Sequence, residues 1–191
     1  MPTTNDLYNG MVIEFKNDLY QVLEFQHVKP GKGQAFVRTK LKNLTTGAVI
    51  EHTFPAGVEV TPARVERRKA QYSYKDDMGY HFFDTETFEE YIIPEDQISG
   101  KEFLKEDMEV EVLYHDEKGA PIGVEVPPFV ILEVTYTEPG LKGDTATNAT
   151  KPAKLETGIE IQVPLFVEMG DKVKVDTRTK RYVERIREKK K

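Results

Sequence analysis

The chain has 191 residues, 38% hydrophobic and 31% charged, and 27 Lys and Arg against 33 Asp and Glu leave a formal charge of −6. No apolar run approaches the length of a membrane span, and the start Met1-Pro2-Thr3-Thr4-Asn5-Asp6 lacks the basic and apolar stretches of a signal peptide. The absence of cysteine excludes disulfides, thiol nucleophiles and zinc–thiolate sites, so a soluble, cytoplasmic chain of one to three domains is expected.

Nearly every periodic segment predicts a strand. Met11 to Phe15, Leu19 to Phe25, Ala35 to Leu41 and Val49 to Phe54 are short β-branched or aromatic runs parted by turn residues. Gln71 to Tyr74, Tyr80 to Asp84, Phe88 to Ile93, Val110 to Tyr114 and Ile122 to Val126 continue the style. Val130 to Tyr136, Ile159 to Val163, Val173 to Asp176 and Tyr182 to Ile186 complete it. A short helix is predicted at Lys101 to Asp107, with Phe103 and Leu104 facing a core. Many short strands at regular spacing predict an all-β chain of small closed barrels, about five strands each, because closure removes exposed edges.

Prolines at Thr61-Pro62-Ala63-Arg64 and Pro127-Pro128 interrupt the pattern and stiffen the connections. They divide the chain into domains at 1–64, 65–127 and 128–191, in an elongated arrangement. The charge divides with them: +1, −10 and +3. The acidic total argues against a polyanionic partner, but only the middle block would repel one.

Catalytic and metal sites are not predicted. His27, His52, His81 and His115 sit in separate strands without ligand spacing. The carboxylates at Glu86/Glu89/Glu90, Glu95/Asp96 and Glu106/Asp107/Glu109/Glu111 lack a calcium loop and suit a solvated face. Gly31-Lys32-Gly33 starts like a dinucleotide fingerprint, but Phe36 occupies the third glycine position and no helix follows. No catalytic residue, metal or cofactor is expected.

Lys29-Pro30-Gly31-Lys32-Gly33 is the most informative segment. Between two strands it predicts a long β-hairpin with a five-residue tip. Pro30 fixes φ on the way in, and Gly31 and Gly33 permit positive φ on either side of Lys32, presenting it bare at the apex. The outgoing strand alternates Phe36, Arg38, Lys40 and Lys42 on one face with Ala35, Val37, Thr39 and Leu41 on the other. The first set is a basic stripe suited to a phosphate backbone. A strand of seven residues reaches about 23 Å, enough to carry Lys32 beyond its barrel.

Val28-Lys29-Pro30-Gly31-Lys32-Gly33-Gln34-Ala35-Phe36 resembles the hairpin of the bacterial translation elongation factor P family. Pro139-Gly140-Leu141-Lys142-Gly143-Asp144-Thr145-Ala146, Lys151-Pro152-Ala153, Leu155-Glu156-Thr157-Gly158 and Val163-Pro164-Leu165-Phe166-Val167 resemble its third domain. Lys174-Val175-Asp176-Thr177-Arg178-Thr179 with Tyr182-Val183 resembles its final strand pair, so the similarity runs end to end.

The resemblance implies an SH3-like, KOW-type domain followed by two OB-type barrels, together roughly tRNA-shaped. It implies a monomer bound to the ribosome between the P and E sites, beside the peptidyl-tRNA, that relieves stalling at consecutive prolines. Lys32 matches the lysine that a modifying enzyme extends by β-lysylation or an aminopentanol group; an arginine-rhamnose route does not fit a lysine. Lys29, Pro30, Gly31 and Gly33 would support it, and Arg38, Lys40 and Lys42 would meet tRNA. Gly143, Asp144, Thr145, Asn148 and Lys151 would lie near the E-site codon or tRNA. Thr147-Asn148-Ala149-Thr150 replaces the glycines usual in that loop, which puts a close backbone approach in doubt. A general RNA-binding or RNA-chaperone barrel protein, and an adaptor acting through the acidic middle, are the alternatives.

Overall fold

The computed structural model describes residues 1–140 and 149–187. It is built from three antiparallel-rich sheets that follow one another along the chain. The first holds β1 (Val12–Phe15), β2 (Asp18–Val28), β3 (Phe36–Asn43), β4 (Val49–Pro55) and β5 (Thr61–Pro62), ordered β4-β3-β2-β1-β5. The second holds β6 (Val65–Asp76), β7 (Gly79–Asp84), β8 (Glu90–Ile93), β9 (Ile98–Ser99), β10 (Glu109–His115) and β11 (Ala120–Glu125). Its order is β8-β7-β6-β10-β11-β9, with β9 parallel to β11. The third holds β12 (Phe129–Thr137), β13 (Thr150–Leu155), β14 (Glu160–Pro164), β15 (Lys172–Asp176) and β16 (Arg181–Ile186), ordered β14-β13-β12-β15-β16.

Each sheet curls around its own apolar core. Ile13, Val22, Val37 and Leu41 centre the first, Phe82, Ile93, Val110 and Val112 the second, and Leu132, Leu155, Val163 and Val173 the third. Two-residue alternation produces this arrangement. In β13, Lys151, Ala153 and Leu155 are buried while Thr150, Pro152 and Lys154 are exposed.

Several expectations need correction. The helix at Lys101 to Asp107 is only a 3-10 turn, Lys101–Phe103. Gly100 enters it at φ +83, Leu104 leaves it extended, and Asp107 at φ +66 gives its N–H to Tyr72 O. Long-range bonding to β6 therefore outcompetes a second helical turn. Thr61–Pro62 does not interrupt the ladder but pairs with Glu14 and Ile13 of β1, since an edge position needs no proline N–H. β6 extends far beyond Gln71 to Tyr74 because Glu66 to Lys69 pair with β10 despite their charge. The strand β13, with a proline inside it, was not expected.

The acidic middle sheet satisfies many of its charges internally. Burial opposes the Asp84 carboxylate, but the N–H groups of Thr87 and Glu86 and the Tyr91 hydroxyl outweigh it and hold its pKa below the usual value. Arg68 donates to the same Tyr91 hydroxyl at 3.1 Å and lies 3.7 Å over the Tyr114 ring. His81 sits on the outer side of β7 beneath Tyr74, ring on ring at 4.1 Å. Its Nδ1 meets Glu90, and its Nε2 stands 2.8 Å from Asp76, at ion-pair distance but off the donor axis.

Glu90 first and Asp76 second raise the His81 pKa above its ordinary 6.5. A raised folded-state value adds stability below the unfolded value, and that contribution disappears as pH rises through the raised value. The difference in melting temperature between the wild type and His81→Gln is therefore expected to be larger near about pH 6 than near about pH 9. A difference that does not change with pH would contradict this assignment.

Candidate functional site at the first-domain hairpin

The hairpin grows out of the first core. In β3, Val37, Thr39 and Leu41 are buried while Arg38 and Lys40 are exposed, as the alternation predicts. Thr39 Oγ1 donates to His52 O at 2.6 Å, so even the buried polar side chain ties β3 to its neighbour. The ladder with β2 runs to Val28 opposite Phe36. Lys29 to Ala35 lie outside it, so the tip is longer than the five residues expected. Gln34 and Ala35 leave the ladder early, and Ala35 O instead accepts from Ala56 N at 3.0 Å. Phe25 and His27, edge to face at 5.6 Å, add an aromatic brace on β2 that the sequence did not single out.

The two tip glycines are not equivalent. Gly33 has φ +102, a conformation in which a side chain is strained. Gly31 is not in that region, contrary to expectation, and a Cβ there would meet nothing within 4 Å. The fold thus requires a glycine at 33 but not at 31.

Lys32 is exposed and makes no hydrogen bond, ion pair or ring contact among the described residues. Lys29 is exposed as well, and Pro30 is half-buried. Residues 25–50 contain five cations (Lys29, Lys32, Arg38, Lys40, Lys42) and no carboxylate. The distal hairpin is therefore an uncompensated positive prong.

Lower down, the basic stripe divides. Arg38 stands between Gln26 and Thr53, covers the Phe36 ring at 5.5 Å and forms no ion pair among the described residues. Lys40 lies between Glu24 and Glu51 on the neighbouring strands. Lys42 is half-buried, and burial lowers its pKa against the opposing pull of Glu125. Lys40 nevertheless stays exposed and forms no ion pair among the described residues, so of the three only Lys42 departs from the free cationic character that the sequence pattern predicts.

The third-domain candidates separate too. Lys151 is buried in β13, and its ammonium donates to Glu138 O. Gly143, Asp144, Thr145 and Asn148 lie outside the described residues. A cleft of about 570 Å³ at the meeting of the three sheets contains Arg67, Glu125, Glu102 and Lys180, but these pair with one another or with Glu111. No group of three or more His, Asp or Glu suited to a metal occurs among the described residues.

These observations leave Lys32 exposed at a tip whose backbone depends on Gly33. Gly33→Ala is expected to cost about 1–2 kcal/mol in denaturant unfolding and to shift tip amide resonances, because φ +102 strains any side chain. Gly31→Ala should leave stability within about 0.5 kcal/mol of wild type. Equal effects of the two substitutions would contradict the assigned backbone geometry.

The family models for the elongation factor P KOW-like domain, OB domain and C-terminal domain match residues 3–60, 65–124 and 130–185. Elongation factor P of Amoebophilus asiaticus (strain 5a2) is 59% identical over 98% of this chain and 98% of its own. Elongation factor P 1 of Porphyromonas gingivalis (strain ATCC BAA-308 / W83) is 52% identical over 98% of this chain and 100% of its own. A solved structure, eukaryotic translation initiation factor 5A from Methanococcus jannaschii, matches 66% of this chain and 90% of its own. Its identity is 22% and its TM-score 0.45, too low to support an inference. With three family models in order along its length and relatives matched almost end to end, the chain belongs to the elongation factor P family.

Proposed function

We propose that this translation factor binds the ribosome between the P and E sites and steadies the peptidyl-tRNA through Lys32, stimulating peptide-bond formation at consecutive prolines. The observation that carries this reading is a bare ammonium at the apex of a carboxylate-free hairpin, with no partner among the described residues. Such a group is poised for an external polyanion, and the CCA end of a tRNA is one.

Proline is a rigid, poor nucleophile, and a peptidyl end of consecutive prolines settles readily in an unreactive geometry. A prong that holds the CCA end in place raises the rate by orientation, without moving a proton. The protein then needs no catalytic residue and acts as an auxiliary factor, not an enzyme. A cytoplasmic monomer suits this role. Lengthening Lys32 by a cationic arm, through a lysine-modifying enzyme, would extend the contact. Gly31 fits the same reading: its missing side chain serves no internal packing, so the space is free for a partner's close approach. Arg38, with Gln26 and Thr53 opposite it, is the stripe residue best placed for tRNA phosphate, Lys40 offers an exposed ammonium between two glutamates, and Lys42 contributes less because burial lowers its pKa.

In purified translation of a three-proline reporter, wild-type protein isolated from its native cell is expected to relieve stalling. Lys32→Ala should reduce synthesis to the level without the factor, and Arg38→Ala should weaken it in a salt-dependent way. Intact mass of the native protein should show an excess confined to Lys32. Full activity of Lys32→Ala would sink the proposal, and relief of stalling by any basic barrel protein would favour general RNA binding.

A further inference from the structure

We propose that Phe103 is a positioning residue that locks the third domain onto the second, so that the hairpin tip stands at a fixed distance from the third domain. Phe103 comes from the segment between β9 and β10 of the second sheet, yet it is fully buried in the core of the third, with Leu132, Leu155 and Val173. Its neighbour Leu104 packs into the second core instead, and Met108 touches both. Consecutive side chains thus enter two different barrels, which ties the barrels through the shortest possible length of chain.

The surroundings hold this arrangement from several sides. Gly100 starts the turn at φ +83, where a Cβ would come within 2.2 Å of Val126. On one flank Lys180 meets Glu102 at 3.0 Å; on the other Lys105 meets Glu156 at 3.0 Å. The same Glu156 oxygen accepts from Glu133 N, which roots the pair in the third sheet's backbone. The connector itself is clasped, because Thr177 Oγ1 donates to Pro127 O at 2.6 Å and Thr177 N donates to Pro128 O at 2.9 Å.

The joint between the first two sheets is equally closed. Val12, Leu19 and Leu44 share a buried cluster with Leu113 and Ile122. Gln21 donates to Glu125 at 2.5 Å, and Gly47 approaches so closely that a Cβ would lie 2.6 Å from Asp96 O. With both joints packed, the three barrels behave as one body. A fixed span matters because two binding regions on a rigid frame engage together at high effective concentration, which a swivelling frame loses. That consequence rests on the proposed ribosomal role, whereas the rigidity itself does not.

The chain has no cysteine, so pairs of introduced cysteines can carry spin labels without background. Exposed Glu51 on β4, Glu86 in the turn between β7 and β8, and Glu160 on β14 provide one position in each of the three domains. Pulsed electron resonance should give a single narrow distance for Glu86–Glu160 and for Glu51–Glu86. Phe103→Ala should broaden Glu86–Glu160 at least twofold while leaving Glu51–Glu86 unchanged, and Phe103→Leu should restore the narrow peak. A broad wild-type Glu86–Glu160 distribution would overturn the proposal whatever the variants do. So would a Phe103→Ala distribution as narrow as wild type, or equal broadening of both distances.

In the three-proline assay, Phe103→Ala should raise the concentration needed for half-maximal relief about tenfold and keep the maximum. Lys32→Ala should abolish the maximum. If wild-type protein relieves no stalling, the ribosomal reading fails while the distance measurement still decides the rigidity.

Discussion

Strict two-residue alternation along β3 is the constraint on which the functional arrangement depends. Burying Val37, Thr39 and Leu41 anchors the outgoing arm of the hairpin in the first core, and the same period forces Arg38 and Lys40 outward. A register slip of one residue would turn the cations into the barrel and release the tip. Gly33 then closes the ribbon at a backbone angle that favours glycine, and Lys32 is left without a partner among the described residues.

The distribution of charge follows the same logic. Within the −10 block several carboxylates are drawn into specific contacts, while the surplus negative charge stays on its surface. Asp84 is held by backbone N–H groups and Tyr91, Arg67 bridges Glu111 and Glu125, and His81 is gripped by Glu90 and Asp76. The tip, in contrast, lies in a stretch of 26 residues, 25–50, without a single carboxylate. The protein thus separates an acidic middle, part of whose charge is held in internal contacts, from a prong whose cations have no carboxylate in the same stretch. The net charge of −6 gives no hint of this, because it averages over both.

Much of this was legible in the chain because hairpins and half-buried strands are local patterns. The four longer strands of the first sheet and the glycine-proline tip are set by neighbours two to five residues apart. What escaped detection depends on distant partners. Phe103 and Leu104 looked like one helical face, although each packs into a different barrel and the segment cannot be a continuous helix. Lys151 looked like a loop cation, but its ammonium is absorbed by Glu138 O, and β13 stayed hidden behind its lysines and proline. Lys42 continued the basic stripe in sequence, yet its environment is the neighbouring sheet, where Glu125 and burial oppose each other. The run Arg67-Arg68-Lys69 concealed the start of β6 because ion pairs and an aromatic ring take up the two arginines.

The central claim is that Lys32 meets the end of the P-site tRNA. A photo-crosslinking amino acid placed at position 32, on ribosomes halted at a run of prolines, tests it most directly. The account predicts a crosslink to the CCA end of the peptidyl-tRNA that depends on the stalled state. Crosslinks confined to ribosomal RNA or protein away from the P-site tRNA would contradict it.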